Sequence, residues 1–309
     1  NTVALFADFD NDGDPDLFLG RSLEKSLYLV NEKGMFRPHS GPVSNGKLPW
    51  LVTSASASDY NNDGLLDIYI CTYSPLDLNT RLQDKGNTPK WARQFLSPEQ
   101  AQEVVKRKVN DHTYLNQIGP PNVLLVNRGG YFEISPQSVN VAGYYNSFQA
   151  SWADYDNDGD QDLYVANDYA PDQLFRNDSG SFLDITSGFG FNTLGFAMGA
   201  SWGDYDGDGD QDLYVSNMYS KAGRRITEQI PGLDDRMSAV AYGNFLYRND
   251  GDGGMKRMSG ADGKSIPVHL AGWSWGGMFT DFDNDGFLDL YVSSGYYTPP
   301  PGQDNGVDL

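Results

Sequence analysis

The stretch Asp154-Tyr-Asp-Asn-Asp-Gly-Asp-Gln-Asp-Leu-Tyr-Val165 decides the fold, because variants of it occur five times in this chain of 309 residues. Each copy has Asp or Asn at positions 1, 3, 5 and 9 and Gly at position 6, and it continues directly into a short apolar run. The copies begin at Asp8, Asp59, Asp154, Asp204 and Asp281. A pattern with fixed acidic positions, repeated this often, indicates a metal-binding loop within a structural repeat.

The spacing of the acidic residues fits a calcium ion. Side-chain oxygens at positions 1, 3 and 5 can surround one hard cation, and Gly at position 6 allows the sharp turn that points the position 7 carbonyl inward. Magnesium prefers a smaller octahedral site, and zinc prefers His or Cys, which none of the loops contains. We expect about five Ca2+ ions, with the second loop weakest because Asn61 is a neutral ligand. The predicted ligands are Asp8, Asp10, Asp12, Asp16, Asp59, Asn61, Asp63, Asp67, Asp154, Asp156, Asp158, Asp162, Asp204, Asp206, Asp208, Asp212, Asp281, Asp283, Asp285 and Asp289.

Two other interpretations of the loops fit less well. An EF-hand loop requires Glu at position 12 and a following helix, whereas position 12 is apolar in all five copies. The residues after each loop, such as Leu163-Tyr-Val165, favour a strand instead. Ordinary Asp-Gly hairpin turns would explain one or two copies, but not five with the same ligand positions. The loop is therefore predicted to join two strands.

Composition excludes several classes of function. The formal net charge is −20, and the predicted ligand positions hold 19 of the 42 Asp and Glu residues, four in each of four loops and three in the second. Nucleic-acid binding is not expected, because a phosphate-binding surface needs clustered Lys and Arg. No apolar stretch is long enough for a membrane span. The single Cys71 lies in an apolar run, which predicts a buried, inert thiol.

The loops mark a repeat of about four strands. In the third unit, strands are predicted at 149–154, 162–166, 172–177 and 181–186, and the fourth unit repeats this order. Successive loops begin 51, 95, 50 and 77 residues apart, so two units carry insertions. Four-stranded units of this length are typical of the blades of a β-propeller in an all-β fold. Solenoid and sandwich arrangements stay open as alternatives, although neither predicts the same loop between the first two strands of each unit.

The loop pattern, followed by Leu-(Phe/Tyr)-Arg-Asn-Asp, resembles the FG-GAP and VCBS repeat family, whose propellers include the integrin α-subunit head. The stretches Asn217–Thr227 and Trp273–Asp281 are similar to its ASPIC/UnbV-type branch, which also contains cartilage acidic protein. The resemblance covers nearly the whole chain and implies a calcium-binding propeller with seven blades. We expect 1–309 to be one domain and a fragment of such a propeller. The first unit has little after its third strand at 26–31, and the fifth ends after its second strand at 291–294.

Two insertions, at about 74–120 and 218–243, fall between the second and third strands of their units. The first contains Ser97-Pro-Glu-Gln100, which has the N-cap, the proline and the capping-box glutamine of a helix start. A stripe of alanine and valine follows, so we predict a docked helix over Ser97–Val109. Because the calcium loops lie between the first and second strands, the loops and the insertions should emerge at opposite ends of the blades.

These features predict a binding or assembly module. The end of the blades that carries the insertions, called the insertion face from here on, is the expected recognition surface for a protein or glycan partner, and the calcium loops are structural. We expect a secreted, periplasmic or cell-surface location. The three His residues are isolated, and no nucleophile elbow, zinc helix or phosphate loop occurs, so no catalytic residue is predicted. The alternative is an enzyme with its active site on the insertion face.

Most aromatic residues recur in register with the repeat, which predicts core packing rather than a sugar-binding platform. Trp152 and Trp202, for example, each lie two residues before a loop. The residues that break this register are weaker candidates for stacking on glycans. They are Tyr144, Tyr145, Tyr296 and Tyr297.

Overall fold

A computed structural model describes residues 2–22, 24–39, 49, 51–73, 98–99, 102, 119–189, 194–219, 240, 242–251, 254–259 and 266–295. Within these ranges the regular structure is 19 β-strands and three short 3-10 helices, with helical backbone also at Pro98, Glu99 and Gln102. The 3-10 helices are Pro136–Val139, Thr186–Gly188 and Pro267–Leu270. No helix in the described part is long and apolar enough to cross a membrane. The rest of the helix predicted over Ser97–Val109 lies outside the described residues, so its position stays a prediction.

Four antiparallel sheets of the same design follow one another along the chain. The first is β1 (Val3–Ala7), β2 (Asp16–Gly20), β3 (Leu27–Glu32) and β4 (Met35–Pro38). The second is β5 (Val52–Ser58), β6 (Asp67–Thr72), β7 (Val123–Asn127) and β8 (Phe132–Ile134). The third is β9 (Asn146–Ala153), β10 (Asp162–Pro171), β11 (Gln173–Asp178) and β12 (Ser181–Asp184), with β13 (Leu194–Phe196) added. The fourth is β14 (Gly199–Gly203), β15 (Asp212–Ser216), β16 (Phe245–Asn249) and β17 (Met255–Arg257). A fifth sheet has the described strands β18 (Ser274–Thr280) and β19 (Asp289–Ser294).

This arrangement confirms the all-β class and the repeated four-stranded unit, with two differences from expectation. The first unit was expected to have little after its third strand, but β4 completes its sheet by pairing with β3. The tight turn between them places Lys33 and Gly34 at positive φ, 54° and 89°, and Glu-Lys-Gly is a weak turn signal in sequence. In the third sheet, β10 extends to Pro171, and this extension pairs with β13.

In the second, third and fourth sheets, the second strand lies between two neighbouring sheets. Both β6 and β15 are buried along their whole length, as expected for a strand that is covered on both sides. Burial raises the pKa of the Cys71 thiol to about 12, which confirms the prediction of a buried, unreactive cysteine. The first strands β1, β5, β9, β14 and β18 contact one another in that order, so the sheets share an inner edge in a propeller-like array.

Aromatic pairs join neighbouring sheets. We call the side of a sheet toward the preceding sheet its leading face and the other side its trailing face. The residue two positions before a loop lies on the leading face and meets the second-strand tyrosine on the trailing face of the preceding sheet. Three such edge-to-face pairs recur, with ring centroids 6.2, 6.2 and 6.4 Å apart: Trp152–Tyr69, Trp202–Tyr164 and Phe279–Tyr214. Each pair adds about 0.5 to 1.5 kcal/mol beyond the apolar area it buries.

An asparagine at the end of the third strand also ties each sheet to the one before it. The Nδ2 of Asn177 donates to the carbonyl oxygen of Tyr60, at position 2 of the preceding loop, and to that of Gln161 in its own loop. Asn127 and Asn249 bridge in the same way to Phe9 and Tyr155, over 2.6 and 2.7 Å. Since these groups are buried, the asparagine satisfies two carbonyls that would otherwise be desolvated without a partner.

Replacing this asparagine should weaken the sheet interface. We expect Asn177→Ala to lower the free energy of unfolding by about 2 kcal/mol, because it leaves the buried carbonyls of Tyr60 and Gln161 without that donor. Urea unfolding followed by tryptophan fluorescence measures the change. The control is Asn140→Ala, an exposed amide bonded only to Gln137, which should cost less than about 0.5 kcal/mol. Equal losses in the two variants would contradict the bridging role.

A second recurring contact closes the opposite end of each complete sheet. A side-chain oxygen just before the third strand accepts a hydrogen bond from the backbone N–H at the end of the second strand. The acceptors are Ser26, Asn122, Asp172 and Asn244, and the donors are Arg21, Thr72, Asn167 and Asn217. In the third sheet this oxygen belongs to a carboxyl group. Burial raises the pKa of Asp172 to about 7, although the bonds from Asn167 and the Tyr164 hydroxyl oppose the shift.

The raised pKa of Asp172 predicts a pH-dependent stability. Between about pH 4 and pH 7 the folded carboxyl keeps a proton that the unfolded chain releases, so its contribution to the free energy of unfolding falls as the pH rises through this window. Asp172→Asn should remove that dependence and keep the contact, because Asn122 and Asn244 accept the equivalent hydrogen bond in neighbouring sheets. Thermal unfolding of both proteins at saturating calcium, across this pH range, measures the difference. Parallel pH profiles would show that Asp172 does not titrate in this way.

Candidate metal sites

The five loops share one backbone conformation. Gly at position 6 has a positive φ of 86° to 96° in every loop, a region that strongly favours glycine. Position 4 is also left-handed, with Asn in four loops and Gly207 in the fourth. These two turns fold the loop back on itself. In the first and fifth loops, this path brings the carboxylates at positions 1, 3 and 5 together.

Hydrogen bonds hold the ligand side chains in the same place in all five loops. The position 1 carboxylate accepts from the backbone N–H groups of positions 5 and 6, as Asp154 does from Asp158 and Gly159, both at 3.0 Å. The position 5 carboxylate accepts from the N–H of position 7, at 2.9 or 3.0 Å in each loop. The backbone N–H groups of the loop therefore fix the orientation of these two carboxylates.

The last aspartate closes the loop rather than simply lining it. In the third loop, Asp162 Oδ1 accepts from the N–H of Asn177, and its Oδ2 accepts from the N–H of Tyr155. In the first loop, Asp16 Oδ2 instead accepts from the Tyr28 hydroxyl at 2.6 Å. In the second loop, Asp67 Oδ2 is fully buried and has no hydrogen-bond partner among the described residues. That oxygen is suited to a cation, because a buried acceptor without a partner is costly.

Four of the five loops bring three carboxylates together, with one oxygen from each lying within 4.8 Å of the others. In the first and fifth loops these come from positions 1, 3 and 5: Asp8, Asp10 and Asp12, and Asp281, Asp283 and Asp285. In the third and fourth they come from positions 1, 3 and 9: Asp154, Asp156 and Asp162, and Asp204, Asp206 and Asp212. The second loop has Asn61 at position 3, so only Asp59, Asp63 and Asp67 are acidic there.

The electrostatics of the loops favour a bound cation. Burial raises the pKa of Asp67 to about 7, with the neighbouring Asp63 adding to the effect and the N–H of Asn127 opposing it. The same cause, burial, raises the pKa of Asp162 to about 7 and that of Asp212 to about 6. A divalent ion reverses this preference, because it stabilises the charged form. The donors are all oxygens, the set that hard cations such as Ca2+ prefer.

Neighbouring loops are also joined directly, which the sequence did not reveal. The position 4 asparagine of one loop donates to the next loop: Asn62 Nδ2 to Asp160 Oδ1 at 2.8 Å, and Asn157 Nδ2 to Asp210 Oδ1 at 2.7 Å. Asn11 makes the corresponding bond to the carbonyl of Gly64. Gly207 has no side chain with which to continue the series. Three successive links therefore join the first four loops at one end of the sheets.

The opposite end carries a row of aromatic rings. The pairing register shifts near the start of β5, β9 and β18, and Thr53, Phe148 and Trp275 are the residues displaced. A β-bulge redirects the side chain that it displaces. Phe148 lies 5.9 Å from Trp275 and 4.9 Å from Tyr73, measured between ring centroids. The Tyr73 hydroxyl donates to Asp168 at 2.6 Å, and burial raises the pKa of that carboxyl to about 6.

This row differs from the glycan-stacking residues expected from sequence. Tyr144 is buried, so the expectation that it stacks on a glycan was wrong; its positive φ of 63° accompanies a turn that packs the ring inward. Tyr145 is half-buried, and Tyr296 and Tyr297 lie outside the described residues. Phe148 and Trp275 were missed. A bulge depends on pairing with the neighbouring strand, so the sequence register alone does not show it.

Comparison with known proteins supports the repeat. Residues 8–70 and 154–215 match the FG-GAP-like repeat model, and each segment runs from the start of one loop through the next loop into the strand that follows it. These two segments resemble FG-GAP-like repeats. No curated protein matches it. One similar solved structure is described as an Agrocybe aegerita lectin that recognises non-reducing terminal N-acetylglucosamine, with 14% identity over 94% of this chain and a TM-score of 0.42. This chain spans 60% of that structure.

The neutral side chain of Asn61, at position 3 of the second loop, gives a direct test of the predicted metal binding. Asn61→Asp should tighten calcium binding at that loop by about tenfold, because it adds a charge next to the ion. Calorimetric titration of the calcium-free protein measures the affinities. Asn140→Asp adds the same charge to an exposed site outside the loops, at the end of the 3-10 helix Pro136–Val139, and should leave them unchanged. If Asn61→Asp weakens or does not alter calcium binding, position 3 is not a ligand in this loop.

Proposed function

We propose that this chain is a calcium-stabilised β-propeller module, secreted, periplasmic or on the cell surface, which binds a protein or glycan through its insertion face. Calcium would be held by the carboxylates at positions 1, 3 and 5 and by the carbonyl of position 7, with position 9 closing the loop. The ion supplies positive charge where three or four carboxylates converge. The observation that carries the proposal is that the carboxylates at positions 1 and 5 accept the same backbone hydrogen bonds in all five loops.

A structural role for calcium follows from where the loops lie. Position 2 of each of the first three loops accepts the asparagine bond from the next sheet, so loop closure and sheet packing depend on each other. At ten times its dissociation constant, calcium adds about 1.4 kcal/mol of stability per independent site, or roughly 7 kcal/mol for five sites. That is comparable to the whole stability of an ordinary domain, about 5 to 15 kcal/mol.

The propeller and its branch are supported by the repeat and by the packing order. Each sheet packs its trailing face against the leading face of the next one, and the first strands of successive sheets contact one another at the inner edge. This order suits blades arranged about an axis. Membership of the ASPIC/UnbV-type branch is supported by the stretches Asn217–Thr227 and Trp273–Asp281. The predicted calcium sites support a location outside the cytoplasm. Extracellular modules bind calcium with dissociation constants of about 10⁻⁴ to 10⁻³ M, a concentration range that is found outside the cell.

Recognition at the insertion face is supported by the aromatic row. Phe148 is half-buried and Trp275 is exposed, and both lie at the end of the inner strands away from the calcium loops. Aromatic faces beside a carboxyl group such as Asp168 suit the mixed apolar and polar surface of a sugar or of a peptide side chain. Connections at this end run from the single residue Asp172 to the long segment between β6 and β7, so this is the end where sequence length varies.

Calcium removal and substitution at the insertion face should have separate effects. A chelator should lower the melting temperature steeply, and Asp158→Ala should reproduce part of that drop. Trp275→Ala should leave the calcium-dependent melting temperature unchanged and reduce binding to an array of immobilised oligosaccharides or extracellular-matrix proteins. The measurements are calorimetric melting with and without calcium, and array binding of the labelled chain.

Asp178→Ala is the matched control, because Asp178 is exposed, lies outside the loops and pairs with Arg176 at the surface. It should alter neither readout. Unchanged melting on chelation, together with loss of a hydrolytic or transfer activity, would replace this proposal with the rival one, an enzyme with its active site on the insertion face.

A further inference from the structure

The asparagine at position 4 is the residue through which one loop contacts the next. Its backbone is left-handed, with φ of 56° to 58° in the first three loops. Its side-chain amide donates to the following loop over 2.7 to 3.0 Å. Positions 3 and 5, on either side of it, are predicted to bind the ion. The direction of the asparagine side chain is therefore set by the same loop closure that forms the ion site.

The acceptor of each link also belongs to a predicted ion site. Asn62 donates to the carboxylate of Asp160, at position 7 of the third loop. Asn157 does the same to Asp210, at position 7 of the fourth loop. In the second loop position 7 is Leu65, and the link runs to the carbonyl of position 6 instead. Because position 7 supplies the predicted backbone ligand, each link ends at that residue or next to it.

The link between the second and third loops shows how closely the acceptor follows its loop. Asp160 is buried, and its N–H donates to the Asp158 carboxylate at 2.9 Å. Its Oδ2 accepts from the N–H of Ser179 at 2.7 Å. A backbone change at position 7 therefore moves the atom to which Asn62 donates, and a change at position 4 of the second loop moves the donor. The bond is made best when both loops are closed.

We propose that the position 4 asparagines make calcium binding cooperative between successive loops, from the first loop to the fourth. The inference rests on the calcium binding proposed above. An occupied loop holds its half of the link in place, so part of the ordering that the neighbouring loop requires is complete before its own ion binds. Such coupling is reciprocal. If the second loop raises the calcium affinity of the third, the third raises that of the second by the same factor.

Electrostatics between the ions would act in the opposite direction. A bound divalent ion cancels negative charge that attracts calcium to the neighbouring loop, although salt screens this effect over about 8 Å at 0.15 M ionic strength. The asparagine donates from a neutral amide, so replacing it with another neutral residue changes no charge. Substitution at position 4 therefore measures the link separately from repulsion between ions.

The fourth loop provides the substitution. Its position 4 is Gly207, at φ 78°, which has no side chain to bond the fifth loop. Asn62→Gly therefore removes a donor and places a residue that this position already uses elsewhere in the chain. Gly207→Asn is the reverse change, and a Cβ at that residue would meet nothing within 4 Å. The fifth loop has Phe287 at position 7, so the expected acceptor is the carbonyl of Gly286, as it is that of Gly64 in the second loop.

A calcium titration that resolves the individual loops tests the proposal. In all five loops the position 6 glycine N–H donates to the position 1 carboxylate, so its NMR signal, in a chain with isotope-labelled glycine, reports on that loop. Asn62→Gly should raise the calcium midpoint of the third loop, read at Gly159, about threefold, although no residue of that loop is changed. Gly207→Asn should lower the midpoint of the fifth loop, read at Gly286, by a similar factor.

Asn284→Gly is the control, because it makes the same substitution at position 4 of the fifth loop. Among the described residues, the Asn284 side chain bonds no other loop, so only the fifth loop should change. A third loop that is unmoved by Asn62→Gly, or that shifts as much with Asn284→Gly, would overturn the cooperative link and leave calcium binding itself in place. Loops that bind no calcium would overturn both proposals. If Asn62→Gly does not fold, the result at Gly286 in Gly207→Asn decides alone.

Discussion

The carboxylate that ends each loop is the group on which the rest of the structure depends. Asp162 closes its own loop through the N–H of Tyr155 and fixes the third strand through the N–H of Asn177, whose side chain then bonds the preceding sheet. One buried charge thus connects loop, strand and interface. Because burial disfavours that charge, a cation in the loop stabilises the interface together with the loop.

The two ends of the sheets obey different constraints. At the end that carries the loops, all five keep one backbone path, with a glycine at positive φ at position 6, and three are also linked to the next loop. At the insertion end, the hydrogen bond that closes each sheet needs only one side-chain oxygen before the third strand. That oxygen comes from Ser26, Asn122, Asp172 or Asn244. The segment between the second strand and this oxygen can therefore vary in length and sequence. The loop end stabilises the fold, and the insertion end can acquire binding partners.

Sequence reasoning succeeded where a residue acts through its neighbours in the chain. The second strands and the burial of Cys71 were predicted correctly, because a run of apolar residues is defined locally, whereas the assignment of the loop carboxylates as metal ligands stays a prediction. Sequence reasoning failed where the partner lies far along the chain. The strand β4 was missed because a Lys-Gly turn is a weak signal, and Phe148 and Trp275 were missed because a bulge arises from pairing between strands.

The sequence by itself determined the repeat, the positions of the acidic side chains and the order of strands around each loop, since spacing and alternation are properties of the chain alone. Only the tertiary structure decided which residues of one repeat contact the next. It placed Asn177 against Tyr60 and Asn62 against Asp160, pairs 117 and 98 residues apart. It also left Phe6 and Tyr291 exposed while their equivalents are covered. Burial depends on which sheet lies alongside, and no local pattern records that.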